Sequence, residues 1–109
     1  MRGELEGLIA KFNERVREDA KLHAELEGIE RTVVVDLKDG TTYHFTLKDA
    51  HVEGLLDGTV TNPDITIIAD SDTIRGLIAR EIGPMKAFAT GRLKAKGDLE
   101  DLVRFRKFF

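Results

Sequence analysis

The chain has 109 residues, of which 41% are hydrophobic and 34% charged, with a formal net charge of −3 and no cysteine. A chain of this length can bury about two thirds of its unfolded surface, and we expect one domain over residues 1–109. The lack of cysteine excludes disulfides, thiolate zinc sites and a cysteine nucleophile, and no apolar run approaches the roughly 20 residues that span a bilayer. We therefore expect a cytoplasmic protein.

The first quarter of the sequence predicts an amphipathic helix. Apolar residues recur there at steps of three and four, as one buried helical face requires: Leu5, Leu8, Ile9, Phe12 and Val16. We expect the helix to bend or restart near Asp19-Ala20, where Leu22 and Leu26 continue the apolar side, and to end at Gly28.

From Thr32 the apolar period drops to two, which predicts a pair of strands around Asp39-Gly40. A two-residue loop would place the apolar sets of the two strands on opposite faces. A three-residue loop over 38–40 places Val35 opposite Tyr43, with the glycine in the left-handed position that closes such a turn.

Two further strands follow in the pattern. A turn at Lys48-Asp49 leads into a weak strand around residues 50–52. Asp57-Gly58 and Asn62-Pro63-Asp64 then mark a loop before a fourth strand over residues 65–69.

The last third of the sequence alternates helices with one more strand. Asp70-Ser71-Asp72 supplies capping and first-turn residues for a helix, and Gly83-Pro84 ends that helix and opens a short one. A fifth strand at residues 92–96 precedes a final helix that begins after Gly97-Asp98. This order predicts an α+β domain in which helices cover one face of a single sheet.

The segment from Gly83 to Asp98 resembles a known family. It is similar to the hallmark of sterol carrier protein (type two) domains at these positions: Pro84, Lys86, Ala87, Phe88, Gly91, Leu93, Lys94 and Gly97, with Arg92 in place of the usual lysine. The resemblance implies a five-stranded, mostly antiparallel sheet covered by helices. It also implies an apolar tunnel between the two layers that accepts fatty acyl chains, acyl-CoA or sterols.

The resemblance leads to a functional hypothesis, which is non-catalytic binding and transfer of a fatty acid, fatty acyl-CoA or related lipid, without a cofactor. The candidate tunnel wall consists of apolar residues from the helices after the fourth strand: Ile74, Leu77, Ile78, Ile82, Met85, Phe88, Leu102, Val103 and Phe105. An apolar helix face is ordinarily plain core. The alternative is therefore a structural or interaction domain whose core is filled.

Catalytic and metal-binding interpretations find little support in the sequence. Ser71 lies where a helix cap is expected, and no glycine-rich nucleotide-binding motif is present. His44, His51 and Glu53 would share one polar sheet face if the second turn has two residues, and such a set could ligate a metal. Solvated polar residues on a hairpin are far commoner, so we predict neither an enzyme nor a metal site.

The C-terminal end is basic, since residues 86–109 hold seven Lys and Arg against three Asp and Glu. The candidates for contact with a lipid head group or an anionic membrane are Lys86, Arg92, Lys94 and Lys96. A solvated strand face is the alternative, and nucleic acid is disfavoured because the rest of the chain is acidic. Phe108 and Phe109 could close the tunnel, contact a membrane or pack on a second subunit, which leaves an oligomer open.

Overall fold

The computed structural model describes residues 1–106, with side chains described as far as Arg104. Five helices and six strands are assigned within these residues. In chain order they are α1 (Arg2–Glu18), α2 (Ala20–Leu26), β1 (Glu30–Leu37), β2 (Thr42–Lys48), β3 (His51–Val52), β4 (Leu56–Asp57), β5 (Ile65–Ala69), α3 (Ser71–Ile78), α4 (Pro84–Ala89), β6 (Leu93–Gly97) and α5 (Leu99–Arg106).

The strands form one mixed sheet in the order β3-β2-β1-β5-β6, with β4 also paired to β2. The β1–β5 pair is parallel, and the other pairs are antiparallel. The predicted α+β class is confirmed. The short strand β4 adds to the predicted five strands, since Tyr43 pairs with Asp57 where the sequence pattern predicted a loop.

The first hairpin has the predicted register. Val35 lies opposite Tyr43 and Val33 opposite Phe45. The amide of Leu37 donates to the carbonyl oxygen of Thr41 at 2.9 Å, which leaves residues 38–40 as the loop. The loop glycine has a φ of 97°, a conformation that side-chain-bearing residues rarely adopt.

The predicted second turn is wrong by one position. Asp49 and Ala50 form the turn, both with φ above 50°, and Leu47 pairs with Val52 instead of Ala50. The two registers differ by two residues along β3, so both keep the same side chains facing the core. Alternation in the sequence cannot distinguish them, whereas the observed register sets fully buried Leu47 against buried Val52.

The predicted restart after the first helix is confirmed at Asp19. Its side chain accepts hydrogen bonds from the amides of Lys21 and Leu22, both at 3.1 Å, and so caps α2. Its extended backbone conformation separates the two helices, and Leu22 and Leu26 then reach the core.

The hallmark segment is explained by backbone conformation and packing. Pro84 is the first residue of α4, and Ala87, on the inner side of the same helix, is fully buried. Gly91 has a φ of 77°. At Gly97, a Cβ would lie only 2.7 Å from the carbonyl oxygen of Asp64, so no side chain fits there. These residues therefore specify the fold.

The last helix is attached to the sheet through Asp101, which is buried. Its carboxylate accepts hydrogen bonds from Arg31 Nε at the start of β1 and from Arg104 Nη1, both at 2.9 Å. The bond to Asp101 raises the pKa of Arg31 above its usual value. This ion pair holds α5 against the end of the sheet. Over residues 1–106, no helix combines the length and apolarity that crossing a bilayer requires.

Candidate ligand-binding cavity

An apolar cavity of about 70 Å³ lies between α1, α3 and the covered face of the sheet. Every described residue that lines it is a leucine, isoleucine, valine or phenylalanine. The lining residues are Leu5, Leu8, Ile9, Phe12, Val35, Phe45, Leu47, Val52, Leu55, Ile67, Ile74, Leu77 and Ile78. Such a wall offers shape and dispersion contacts to a guest and no polar specificity.

Of the eight predicted wall residues whose side chains are described, three line this cavity, namely Ile74, Leu77 and Ile78 on α3. Ile82 does not. The helix ends at Ile78 because Arg80 takes a left-handed conformation with a φ of 60°. The chain then turns back, and the Ile82 side chain lies over Gly76, where a Cβ would be 3.0 Å from it.

The prediction that Met85 and Phe88 point inward is wrong. Their side chains on α4 are 58% and 54% exposed, respectively. The reason is the short length of α4, whose buried side is occupied by Ala87. A six-residue helix packed through a small residue presents its larger neighbours to solvent.

The two predicted wall residues of α5 whose side chains are described do not line the cavity either. Leu102 is half-buried and packs against the core, and Val103 is 52% exposed. The protein-facing side of α5 carries the buried Asp101, which displaces the apolar stripe from the centre of the interface. The side chain of Phe105, and all of Phe108 and Phe109, lie outside the described residues.

The sequence hypothesis missed the wall supplied by α1 and by the strands. The helix contributes one continuous apolar face to the cavity, made of Leu5, Leu8, Ile9 and Phe12. The signal for this face was present in the three and four residue spacing. The hypothesis assigned the wall to later helices because periodicity identifies a buried face without identifying its neighbour.

Polar contacts attach α1 to the edge of the sheet at two points. Near its start, Arg2 Nη1 donates to the carbonyl oxygen of Leu55 at 2.9 Å, and the same guanidinium pairs with Asp57. The hydrogen bond that Arg2 donates to Asp57 raises the pKa of Arg2. Further along, the Asn13 side chain is bonded to the backbone of Val52. The helix is thus fixed to residues 51–57 at both ends of the cavity.

A third attachment joins α1 to α3. Arg75 Nε donates to the Glu4 carboxylate at 3.0 Å, and this bond lowers the pKa of Glu4 below its usual value. Both side chains are substantially exposed. The attachment is therefore weak and sensitive to salt and acid.

The predicted cationic candidates are all exposed. Lys94 and Lys96 on β6 lie opposite Ile68 and Thr66, on the sheet face away from the core. Lys86 lies on α4, and Arg92 precedes β6. Arg92 contributes to the lowered pKa of Asp70, whose main cause is hydrogen bonding to Thr73.

The predicted pairing of His44 with Glu53 does not form, because the second turn lies one position later than predicted. His44 lies opposite Leu56, and its Nδ1 is 2.9 Å from the carbonyl oxygen of Gly58. His51 lies opposite Lys48. Across residues 1–106 there is no group of three or more metal-binding side chains.

Ser71 is the first residue of α3, and its hydroxyl lies 3.4 Å from the Asp39 carboxylate. The helix cap is Asp70, which accepts a hydrogen bond from the Thr73 amide at 2.7 Å.

The profile of the SCP-2 sterol transfer family matches residues 9–109. The chain belongs to this family. Among curated proteins no sequence matches it.

Solved structures of SCP2 proteins share the fold at low sequence identity. The ubiquinone synthesis protein UbiJ-SCP2 is 19% identical, with a TM-score of 0.68 over 98% of this chain and 90% of its own. Sterol Carrier Protein 2 Like 2 from Aedes aegypti is 15% identical, with a TM-score of 0.67 over 99% of this chain and 98% of its own.

The same fold also occurs as part of a larger enzyme. The sec-alkylsulfatase Pisa1 from Pseudomonas sp. is 19% identical, with a TM-score of 0.65 over 80% of this chain. This chain spans only 14% of the length of that protein.

Proposed function

We propose that this SCP-2 family chain binds the apolar part of one lipid molecule without covalent chemistry, in the cavity beneath α1, and carries it through water. The observation that supports this proposal is the cavity wall, which contains apolar side chains from α1, α3 and four strands. A similar protein, SCP2L2 from Aedes aegypti, has been solved in a palmitated form at 16% identity and a TM-score of 0.62.

The size of the cavity indicates that α1 moves when a lipid enters. An apolar cavity of about 150 Å³ holds one benzene molecule, whereas this cavity is about 70 Å³. A chain of roughly 14 carbons offers on the order of 11 kcal/mol of gross burial energy at about 0.8 kcal/mol per methylene, before the losses on binding. That energy is sufficient to offset the displacement of a weakly held helix.

The packing of α1 is consistent with such a movement. Only Leu5 and Val16 are fully buried among its described side chains, while Leu8, Ile9 and Phe12 are half-buried. Elements with few buried side chains open at low free energy. The polar attachments of Arg2, Glu4 and Asn13 then act as the restraint that a ligand must overcome.

We propose no catalytic role for the cavity. The part of its wall that the structure describes carries no hydroxyl, carboxylate or imidazole that could act as a nucleophile or an acid-base group. A guest in this cavity would meet only hydrocarbon and aromatic surface.

Native mass spectrometry of protein purified from cells, with organic extraction and titration with the uncharged dye Nile red, tests this function. We expect a co-purifying lipid and saturable dye fluorescence. Ile9→Trp fills the cavity from a half-buried position and should weaken dye binding at least five-fold. Leu56→Trp, at a 60% exposed position outside the cavity, should not. An apo mass without dye uptake would instead support a structural domain with a filled core.

We also propose that α4 docks the carrier on anionic membranes. Met85 and Phe88 are exposed three positions apart on this helix, and Lys86 lies between them. Apolar side chains beside a cation match a surface of anionic lipid, where each Lys or Arg adds about 1 kcal/mol. Phe88→Ala should reduce co-sedimentation with phosphatidylglycerol vesicles several-fold, and Leu56→Ala should not. Equal binding by both variants would refute this docking face.

A further inference from the structure

A second, open groove of about 410 Å³ lies between α1 and the segment 51–55. On one side it is lined by Glu6, Ile9, Ala10 and Asn13 of α1, and on the other by His51, Val52, Glu53, Gly54 and Leu55. Three of these residues also line the apolar cavity, namely Ile9, Val52 and Leu55. The groove therefore adjoins the cavity and reaches solvent.

The two attachments of α1 lie at the two ends of this groove. Arg2 holds the first turn of the helix to Leu55, and Asn13 holds its fourth turn to Val52. The two residues are eleven positions apart along the helix, or roughly 16 Å at 1.5 Å per residue. Between these points α1 carries Ile9, which lines both the groove and the cavity, so an alkyl chain in the groove would meet the cavity beside this residue.

The charged rim of the groove is acidic. The titratable side chains that line it are Glu6, Glu53 and His51, with no lysine or arginine among the described lining residues. The neighbouring guanidinium of Arg2 is already shared between the carboxylates of Glu6 and Asp57. Lys48 lies opposite His51 on the adjacent strand but does not line the groove.

We infer that this groove is the entrance of the cavity and the binding site of the lipid head group. It selects a long-chain amphiphile whose head group donates hydrogen bonds and carries no negative charge. This inference rests on the proposed carrier function. Carboxylate oxygens accept hydrogen bonds from a hydroxyl, amide or ammonium group. They repel the carboxylate of a fatty acid and the phosphates of acyl-CoA, so the groove disfavours two of the ligands that the sequence suggested.

Displacement of bound Nile red by three amphiphiles of equal chain length, below their aggregation limits at pH 7.5, tests the selectivity. We expect tetradecanol and tetradecylamine to displace the dye at concentrations roughly three- to ten-fold lower than tetradecanoate, as repulsion between like charges near a protein surface predicts. Displacement of the dye by tetradecanoate at a concentration equal to or lower than that of tetradecanol would overturn the inference. Failure of all three to displace the dye would reject the carrier function itself.

Charge reversal at the rim locates the source of the selectivity. Glu53→Lys should improve the affinity for tetradecanoate relative to tetradecanol by at least three-fold. Glu18→Lys makes the same change at an exposed position of α1 outside the groove and should leave that ratio unchanged. If the ratio of the two affinities stays unchanged in both variants, the groove is not the binding site of the head group.

The route of entrance can be tested separately, because the chain has no native cysteine. A bulky maleimide on Ala10→Cys, an exposed position that lines the groove, should slow dye uptake at least five-fold. The same label on Ala24→Cys, exposed on α2, should leave uptake at the wild-type rate. Equal uptake by the two labelled proteins would show that ligands enter elsewhere.

Discussion

The side-chain amide of Asn13 satisfies both backbone polar groups of Val52. Its Nδ2 donates to the Val52 carbonyl oxygen and its Oδ1 accepts from the Val52 amide, each at 2.9 Å. Val52 belongs to β3, an edge strand of the sheet, so the amide occupies the place that a neighbouring strand would take. One residue thus closes the sheet edge and holds α1 over the cavity.

Replacement of Asn13 should weaken the fold and loosen α1. Asn13→Ala leaves two part-buried backbone groups without their partner, so we expect the free energy of unfolding to fall by about 1–3 kcal/mol. Urea denaturation measures this loss, and stopped-flow uptake of Nile red should become faster. Lys11→Ala, at an exposed position of the same helix, should stay within about 0.5 kcal/mol of the wild type. Similar losses in both variants would contradict a specific role for Asn13.

The Glu4–Arg75 attachment should make α1 sensitive to acid. The pKa of Glu4 is lowered in the folded protein by the hydrogen bond from Arg75, so its stabilising effect is fully present above the ordinary pKa of glutamate, about 4.3. It is lost as pH falls through the lowered value. Glu4→Gln should therefore be less stable than wild type at pH 7, and the difference should shrink as pH falls below the ordinary pKa of glutamate. Thermal unfolding from pH 7 into the acid range checks the prediction, and a difference that does not shrink on acidification would contradict it.

Two glycine-to-alanine substitutions should change the stability of the protein in opposite directions. Gly97 has a φ of 150°, and a Cβ there would lie 2.7 Å from the Asp64 carbonyl oxygen, so Gly97→Ala should destabilise by about 1–3 kcal/mol. Gly7 lies within α1, and an added methyl group there would meet no neighbouring side chain or strand within 4 Å, so Gly7→Ala should stabilise by about 0.5–1 kcal/mol. Chemical denaturation of both variants measures the contrast. A neutral Gly97→Ala would show that β5 and β6 are not closely apposed there.

Local features of the fold could be predicted from the sequence where one residue type or one period determines them. The 38–40 loop followed from the requirement that Val35 and Tyr43 share a face. The helix restart was expected where Leu22 and Leu26 continue the apolar side, and the structure adds the cap at Asp19. The second turn could not be predicted as well, because both registers preserve the alternation, and packing of Leu47 on Val52 decides between them.

The candidate site was only partly predictable. The apolar faces of α1 and α3 were both recognised in the sequence, yet the wall was assigned to α3, α4 and α5. Met85 and Phe88 illustrate the error in that assignment. They are apolar residues at a helical spacing, yet their side chains face solvent. The groove depended on residues 6–13 and 51–55 meeting across the molecule, for which neither segment carries a local signal.

The sequence by itself determined the class of the fold, its first hairpin and its family, because these depend on periodicity, capping and glycine conformations that neighbouring residues specify. The tertiary structure alone decided which helix covers the cavity, which apolar residues stay exposed and where acidic side chains border the entrance. Those features arise from contacts between segments far apart in the chain, such as Asn13 with Val52 and Arg31 with Asp101. Periodicity shows that a face of a helix or strand is buried, and only the packing in the tertiary structure shows which element covers that face.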